Sequence, residues 1–262
     1  MNENLVFVRG AGDLATGIIS ILKTFGFDVV AAELANPASI RRSVALCEAV
    51  YEGTYTVEGF TAERCGPKDI QNILLKGRIP LLVDPEAKNI RALKPGIVVD
   101  AIIAKKNTGT NMDMAKIVIG AGPGFTAGSD VHAVVETNRG HDLGRVILHG
   151  GAQADSGVPG VIGGYAKERV VYAPRAGAIH TIKKIGDHVE AGEVIATVEG
   201  EPVRANIGGV LRGLIRDGYT VFSGFKTADV DPRDVPAHCY TISDKARLIG
   251  FGVLQAIRIL SK

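Results

Sequence analysis

The chain has no tryptophan, 5% aromatic residues and three cysteines among 262 residues. Scarce aromatics leave no platform on which the bases of a nucleic-acid strand could stack. A net charge of +2, without a dense lysine and arginine stripe, removes the electrostatic footprint of a nucleic-acid reader. Cys47, Cys65 and Cys239 are odd in number and far apart, which argues against a disulfide framework and against a Cys-x-x-Cys metal or redox site. No metal-ligand set is read. No apolar run approaches the ~20 residues of a membrane span, and the opening Met-Asn-Glu-Asn lacks the basic region of a secretory leader. The expected protein is cytoplasmic, with neither nucleic acid nor membrane as partner; assembly with copies of itself stays open.

What is present is 46% apolar and 22% charged, enough for a sizeable core in two domains or one domain with an appendage. Leu5–Val8, Val29–Glu33, Ile79–Asp84, Ile97–Ile103 and Lys116–Gly120 read as short apolar strands. Asp13–Phe25 and Lys68–Leu75 read as helices between them. This alternation predicts an α/β fold, Rossmann-like, with a mostly parallel sheet covered on both faces. The stretch from Ser43 to Phe60 finds no place in that sheet.

The first strand runs into Gly10-Ala11-Gly12-Asp13, and Gly17 follows in the helix. Glycines let a backbone approach a phosphate closely, and the dipole of the following helix favours negative charge. Ala15 stands where the dinucleotide fingerprint has its third glycine, and Glu33, about twenty residues on, could bind a ribose hydroxyl. The same pattern also makes a tight strand-to-helix turn without a ligand. Asp84 and Asp100 join Glu33 at the expected strand ends, near Lys105 and Lys106, although such acids also serve as turn formers.

A second glycine cluster holds Gly122 and Gly124. Beyond it, alternation over 130–138 would put Asp130, His132, Glu136 and Asn138 on one strand face and Val131, Ala133 and Val135 on the other. His132 and Glu136 then become candidates for acid/base chemistry; a half-exposed strand is the plainer alternative. Gly150–Gly164 reads as a loop that closes a site or links two domains.

From Ala173 one pattern occurs twice at an offset of 32 residues: Ala173, Gly177, Gly186, Val189 and Gly192 return as Ala205, Gly209, Gly218, Val221 and Gly224. Neither copy can bury a core alone, so the two should pair into a small β module. Ala173–Gly177 with Gly186–Glu193 resembles the barrel-sandwich of biotinyl and lipoyl domains. Those carry a modified lysine on the joining hairpin, whereas Val198–Arg204 here has none. Docking, dimerisation or a lid is then the expected role. The expected domains are 1–165, 166–230 and a terminal 231–262 whose helix, capped by Ser243, returns to the first domain. Cys239 should lie near that helix's N-terminus, where the dipole and Lys245 would favour a thiolate.

Arg9–Gly17, Gly122–Gly128, Asp231-Pro232-Arg233 and Ile242–Ala246 together resemble the YqeB family over nearly the whole length. The resemblance implies an accessory role in maturing a selenium-dependent molybdenum hydroxylase, with that enzyme or its maturation proteins as partners. The implied ligand is molybdenum cofactor, selenium-bearing or not, or a related nucleotide. Gly10, Gly12, Asp13, Gly17, Glu33, Asp84, Asp100, Gly122 and Gly124 are the candidate cofactor-binding residues, and Cys239, His132 and Glu136 the candidate chemical groups. An NAD(P)-dependent oxidoreductase, with Arg41 and Arg42 able to receive a 2′-phosphate, and a non-catalytic docking scaffold are the alternatives. Whether the chain is an enzyme stays open.

Overall fold

The computed structural model describes residues 2–262. They fall into two compact units, the larger comprising the chain to Pro37 with Ala45–Ser156 and Ile242–Lys262, the smaller Ala38–Val44 with Gly157–Thr241. The smaller unit thus reaches beyond 166–230. Leu214 N donates to Ile40 O and Arg42 Nε to Leu214 O, both at 2.8 Å, which ties 38–44 into it.

The larger unit is one nine-stranded sheet. Its strands are β1 (Asn2–Arg9), β2 (Asp28–Glu33), β3 (Thr54–Val57), β4 (Phe60–Arg64), β5 (Ile79–Val83), β6 (Pro95–Asp100), β7 (Ile117–Ala121), β8 (Ala133–Val135) and β9 (Val146–Ile147), in the order β3-β4-β5-β2-β1-β6-β7-β8-β9. Only the two edge pairs, β3 with β4 and β8 with β9, are antiparallel. The helices are α1 (Asp13–Thr24), α2 (Ala49–Glu52), α3 (Ile70–Leu75), α4 (Ile90–Leu93) and α5 (Asp244–Leu260). Within this unit the unplaced stretch supplies the 3-10 turn Leu46–Glu48, α2 and the β3–β4 edge hairpin.

Continuous apolar strands follow from burial on both faces. Leu5, Phe7, Val30, Ala32, Leu82, Val98 and Val118 share one core with Ile70 of α3 and Ile90 of α4. The other face carries α1 and α5, which run parallel: Gly17 lies against Ala246, Gly250 against Ile21, and Phe25 meets the Phe251 ring edge-on at 6.3 Å. A Cβ on Gly17 would stand 2.6 Å from Ala246, so glycine is what permits this approach. From central β1 the chain passes to β2 on one side and later to β6 on the other. Such a reversal leaves a crevice at the carboxyl ends of the two strands.

The smaller unit contains β10 (Val170–Tyr172), β11 (Gly177–Thr181), β12 (His188–Val189), β13 (Val194–Val198), β14 (Glu201–Arg204), β15 (Gly209–Leu214), β16 (Thr220–Val221) and β17 (Lys226–Asp231). They form two four-stranded sheets, β10-β17-β15-β12 and β14-β13-β11-β16. The 32-residue repeat survives in register: Ile179 pairs with Val198 and Leu211 with Val230. Gly177 pairs with Val221, and Gly209 with Val189, so each copy lends a strand to the other's sheet. Ile179, Ile195, Leu211 and Val230 fill the core between them.

One sheet of this unit carries a charged cluster. Asp229 accepts Arg169 Nη1 at 2.6 Å and Arg212 Nη2 at 2.7 Å, all three side chains being at most 10% exposed. Asp231 accepts Arg233 Nη2 at 2.6 Å and lies 3.4 Å from Arg212 Nη1. Burial by itself would raise the Asp231 carboxyl, but hydrogen bonds from Arg233 and the charges of Arg212 and Arg233 bring it down to about 2. A carboxyl held below its ordinary 3.8 stabilises the fold fully above that value and loses the contribution as pH falls toward about 2. The urea midpoint is therefore expected to drop more steeply over that window in the wild type than in Asp231→Asn. Equal pH slopes would refute the assignment.

Candidate anion-binding site

The turn after β1 depends on Gly10, which has φ +99° and whose Cβ would stand 2.9 Å from Ala101 O. Gly12 follows in extended conformation as the first residue flanking α1, with no side-chain cap and nothing within 4 Å of where its Cβ would lie. The space over the start of α1 is open. Glu33, at the end of β2, reaches back to this turn: Ala11 N donates to its Oε2 and Leu34 N to its Oε1, each at 2.8 Å. Burial pushes the Glu33 carboxyl up against the lowering effect of those two donors.

The other strand-end acids do not converge with Glu33. Asp84 accepts Lys88 N, Asn89 N and Asn89 Nδ2 at 2.8–2.9 Å and shapes the turn after β5. Asp100 forms a buried pair with Arg9 Nη1 at 3.1 Å and accepts Thr110 Oγ1 at 2.6 Å, while Arg9 also donates to Thr110. This buried trio lies at the carboxyl ends of β1 and β6. Just beyond it, Ile103 and Lys105 have φ of +59° and +61°. A β-branched residue in that region stores roughly 1–3 kcal/mol, a strain that tends to gather at functional sites.

The expected strand over 130–138 shrinks to Ala133–Val135, all three residues buried. It is short because it lies against β7 inside the sheet, where a polar face has no water to meet. Asp130 accepts Thr126 N at 2.9 Å, and His132, at the amino end of β8, accepts Val118 N on Nδ1 at 3.0 Å. Glu136 lies at the carboxyl end, 2% exposed, its oxygens taking Thr137 N, Asn138 N and Gln153 N at 2.7 Å each. His132 and Glu136 therefore form no acid/base pair. Gly122 and Gly124 serve close packing, their Cβ positions falling 2.7 Å from Thr137 Oγ1 and 2.5 Å from Lys106 Cα.

Cys239 is also placed differently from expectation. It ends the 3-10 turn Pro236–Cys239 of the smaller unit and is fully buried. Burial pushes its thiol up, outweighing Arg212 and Arg41, so the dipole-stabilised thiolate does not form. Arg41 and Arg42 belong to the same unit and donate to backbone carbonyls of His238, Thr241 and Leu214.

Lys245 does come to the site, in a role the sequence did not suggest. Ser243 caps α5 by accepting Ala246 N at 3.1 Å, which sets Lys245 in the first turn. Because α5 runs beside α1 in the same direction, Lys245 falls among Asp13, Glu136, Arg139 and Asp244. Burial pulls its pKa down, Arg139 adds to this, and the three acids oppose it. Arg139 is held by a two-pronged pair with Asp244 at 2.8 and 2.9 Å. Two helix N-termini and a partly desolvated ammonium thus share the sheet edge next to the glycine turn. Helix N-termini and a lysine are groups that can receive an anion, while Asp13, Glu136 and Asp244 set three carboxylates against the charges of Lys245 and Arg139. Among the described residues no group of three or more His, Cys, Asp or Glu could hold a metal ion, and no helix is long and apolar enough to cross a membrane.

No family model matches the chain. It is 48% identical over 259 residues to the uncharacterized protein YqeB of Escherichia coli K12, covering 98% of this chain and 48% of that protein. The chain thus spans about half the length of the curated relative it matches. Among solved structures, product-bound ectoine utilization protein EutE (DoeB) from Ruegeria pomeroyi is 12% identical, covering 87% of this chain and 57% of that one, with a TM-score of 0.23. An aspartoacylase family protein from Mesorhizobium loti gives 12% identity, coverage of 87% and 56%, and a TM-score of 0.24. Likeness at that level says nothing of activity.

Proposed function

We propose that this chain, a relative of YqeB along nearly its whole length, binds a phosphate-bearing cofactor during maturation of a selenium-dependent molybdenum hydroxylase. The ligand is molybdenum cofactor or a nucleotide form of it. The observation that carries this reading is the pairing of the α1 and α5 N-termini, with Lys245 between them, at the crevice where the strand order reverses. In this reading the large sheet is Rossmann-like and the duplicated unit a barrel-sandwich that docks the hydroxylase.

The open space over Gly12 fits a phosphate. The chain would hold such a cofactor by its phosphate end. The first-turn amides orient the phosphate, Lys245 neutralises it, and the Arg139–Asp244 pair keeps α5 in place.

Lys245→Ala is expected to weaken binding of inorganic pyrophosphate by roughly tenfold or more, as for a charge-assisted hydrogen bond. In the wild type, the depressed Lys245 pKa should rise on binding, read by NMR of the labelled lysine, because the anion supplies the charge that burial removed. An unchanged Lys245 titration would remove it from the site. Native mass spectrometry of protein purified from a host making molybdenum cofactor, with selenium supplied, tests the ligand. A pterin-sized or selenium-bearing adduct supports maturation; a nicotinamide dinucleotide makes the protein an oxidoreductase instead.

A further inference from the structure

We infer that a cleft at the carboxyl ends of β2, β4 and β5 holds the nucleoside end of the ligand, so that the bound species is a nucleoside diphosphate conjugate. This rests on the phosphate reading of the glycine turn and names the substrate class that goes with it. The cleft measures about 790 Å³ and is lined by Ala35, Val50, Cys65, Pro67, Leu82 and Val83. That size lies in the usual range for small-molecule sites. Val83 is 44% exposed at the end of an otherwise buried strand, apolar surface that an occupant would remove from water.

The walls suit an uncharged heterocycle. Burial, Asp69 and Glu63 push the Cys65 thiol up to about 11, so it stays neutral. Arg64 is fixed by donating from Nη1 to Val50 O at 2.7 Å, which leaves a planar guanidinium at the cleft against which a base can stack. Asp69 and Asn89 add polar groups able to meet the edge of a base.

Position supports the same conclusion. The order β4-β5-β2-β1 sets the cleft one to three strands from the glycine turn. At ~4.8 Å per strand its middle is on the order of 10 Å away, about the reach of a diphosphate with its ribose. Glu33 stands between the two, each carboxylate oxygen holding one backbone donor and keeping a lone pair for a sugar hydroxyl.

Calorimetry with inorganic pyrophosphate, ADP, CDP and GDP on the wild type and on a double variant, Ala35→Gln with Val83→Gln, tests the inference. Both positions are exposed, so the bulkier neutral side chains crowd the cleft without entering the core. At least one nucleoside diphosphate is expected to bind roughly tenfold tighter than pyrophosphate, and the double variant to lose that margin while binding pyrophosphate as before. Nucleoside diphosphates that bind no tighter than pyrophosphate, or a margin that survives the double substitution, overturn this inference alone. Failure of pyrophosphate and nucleotides alike overturns the phosphate reading with it.

Discussion

Asp229→Ala is expected to cost the smaller unit about 3–5 kcal/mol, the usual penalty for removing one member of a buried ionic group. Arg169 and Arg212 are 5% and 8% exposed and both lean on this carboxylate. Without it, two guanidinium groups lose their closest counter-charge in a region water does not reach. Asp231 offsets only part of the loss, because it lies 3.4 Å from Arg212 and already holds Arg233 at 2.6 Å. Asp229→Asn keeps a hydrogen-bonding side chain and should fall between. Chemical unfolding monitored through the smaller unit measures this, and a loss under about 1 kcal/mol for Asp229→Ala would show that the cluster is better solvated than its burial implies.

In the larger unit the greatest effect is expected from Gly17→Ala, at about 3 kcal/mol, the upper range for overpacking. The added methyl would stand 2.6 Å from the Ala246 carbonyl and Cβ, and Gly250 on the facing helix is itself 2.8 Å from Gly17 O at its Cβ position. A backbone cannot yield as the end of a flexible side chain can, so α5 must move. Lys245 then moves with it, and pyrophosphate binding should fall together with stability. Gly12→Ala is the contrast: its φ is −69° and the space is open, so melting should fall only by the modest cost of an alanine N-cap while binding drops. A Gly17→Ala protein that melts like wild type would mean the helices can separate freely, and the shared anion site would lose its basis.

Much of this was legible in order along the chain. The strand Leu5–Val8, the turn at Gly10 and the helix from Asp13 follow from apolar runs and glycine placement, and the 32-residue repeat from simple self-comparison. Over residues 130–138 the pattern predicts a longer strand than forms, for a physical reason. Alternation reports which side chains meet water, and in a strand buried on both faces neither face does, so Ala133–Val135 ends where Glu136 turns out to collect three amides. Cys239 lies elsewhere than its sequence neighbourhood predicts, because nearness in sequence to Asp244 says nothing about the 3-10 turn that carries it into another unit.

The sequence by itself determined the local elements, the glycine turn after β1 and the duplication, since these depend on backbone conformation and short-range periodicity. Only the tertiary structure decided which charges stand together. Asp13 and Lys245 are separated by almost the whole chain, and they meet because Gly17 and Gly250 let two helices lie side by side in one direction. Close packing between distant segments is a property of surfaces, and no spacing along the chain encodes it.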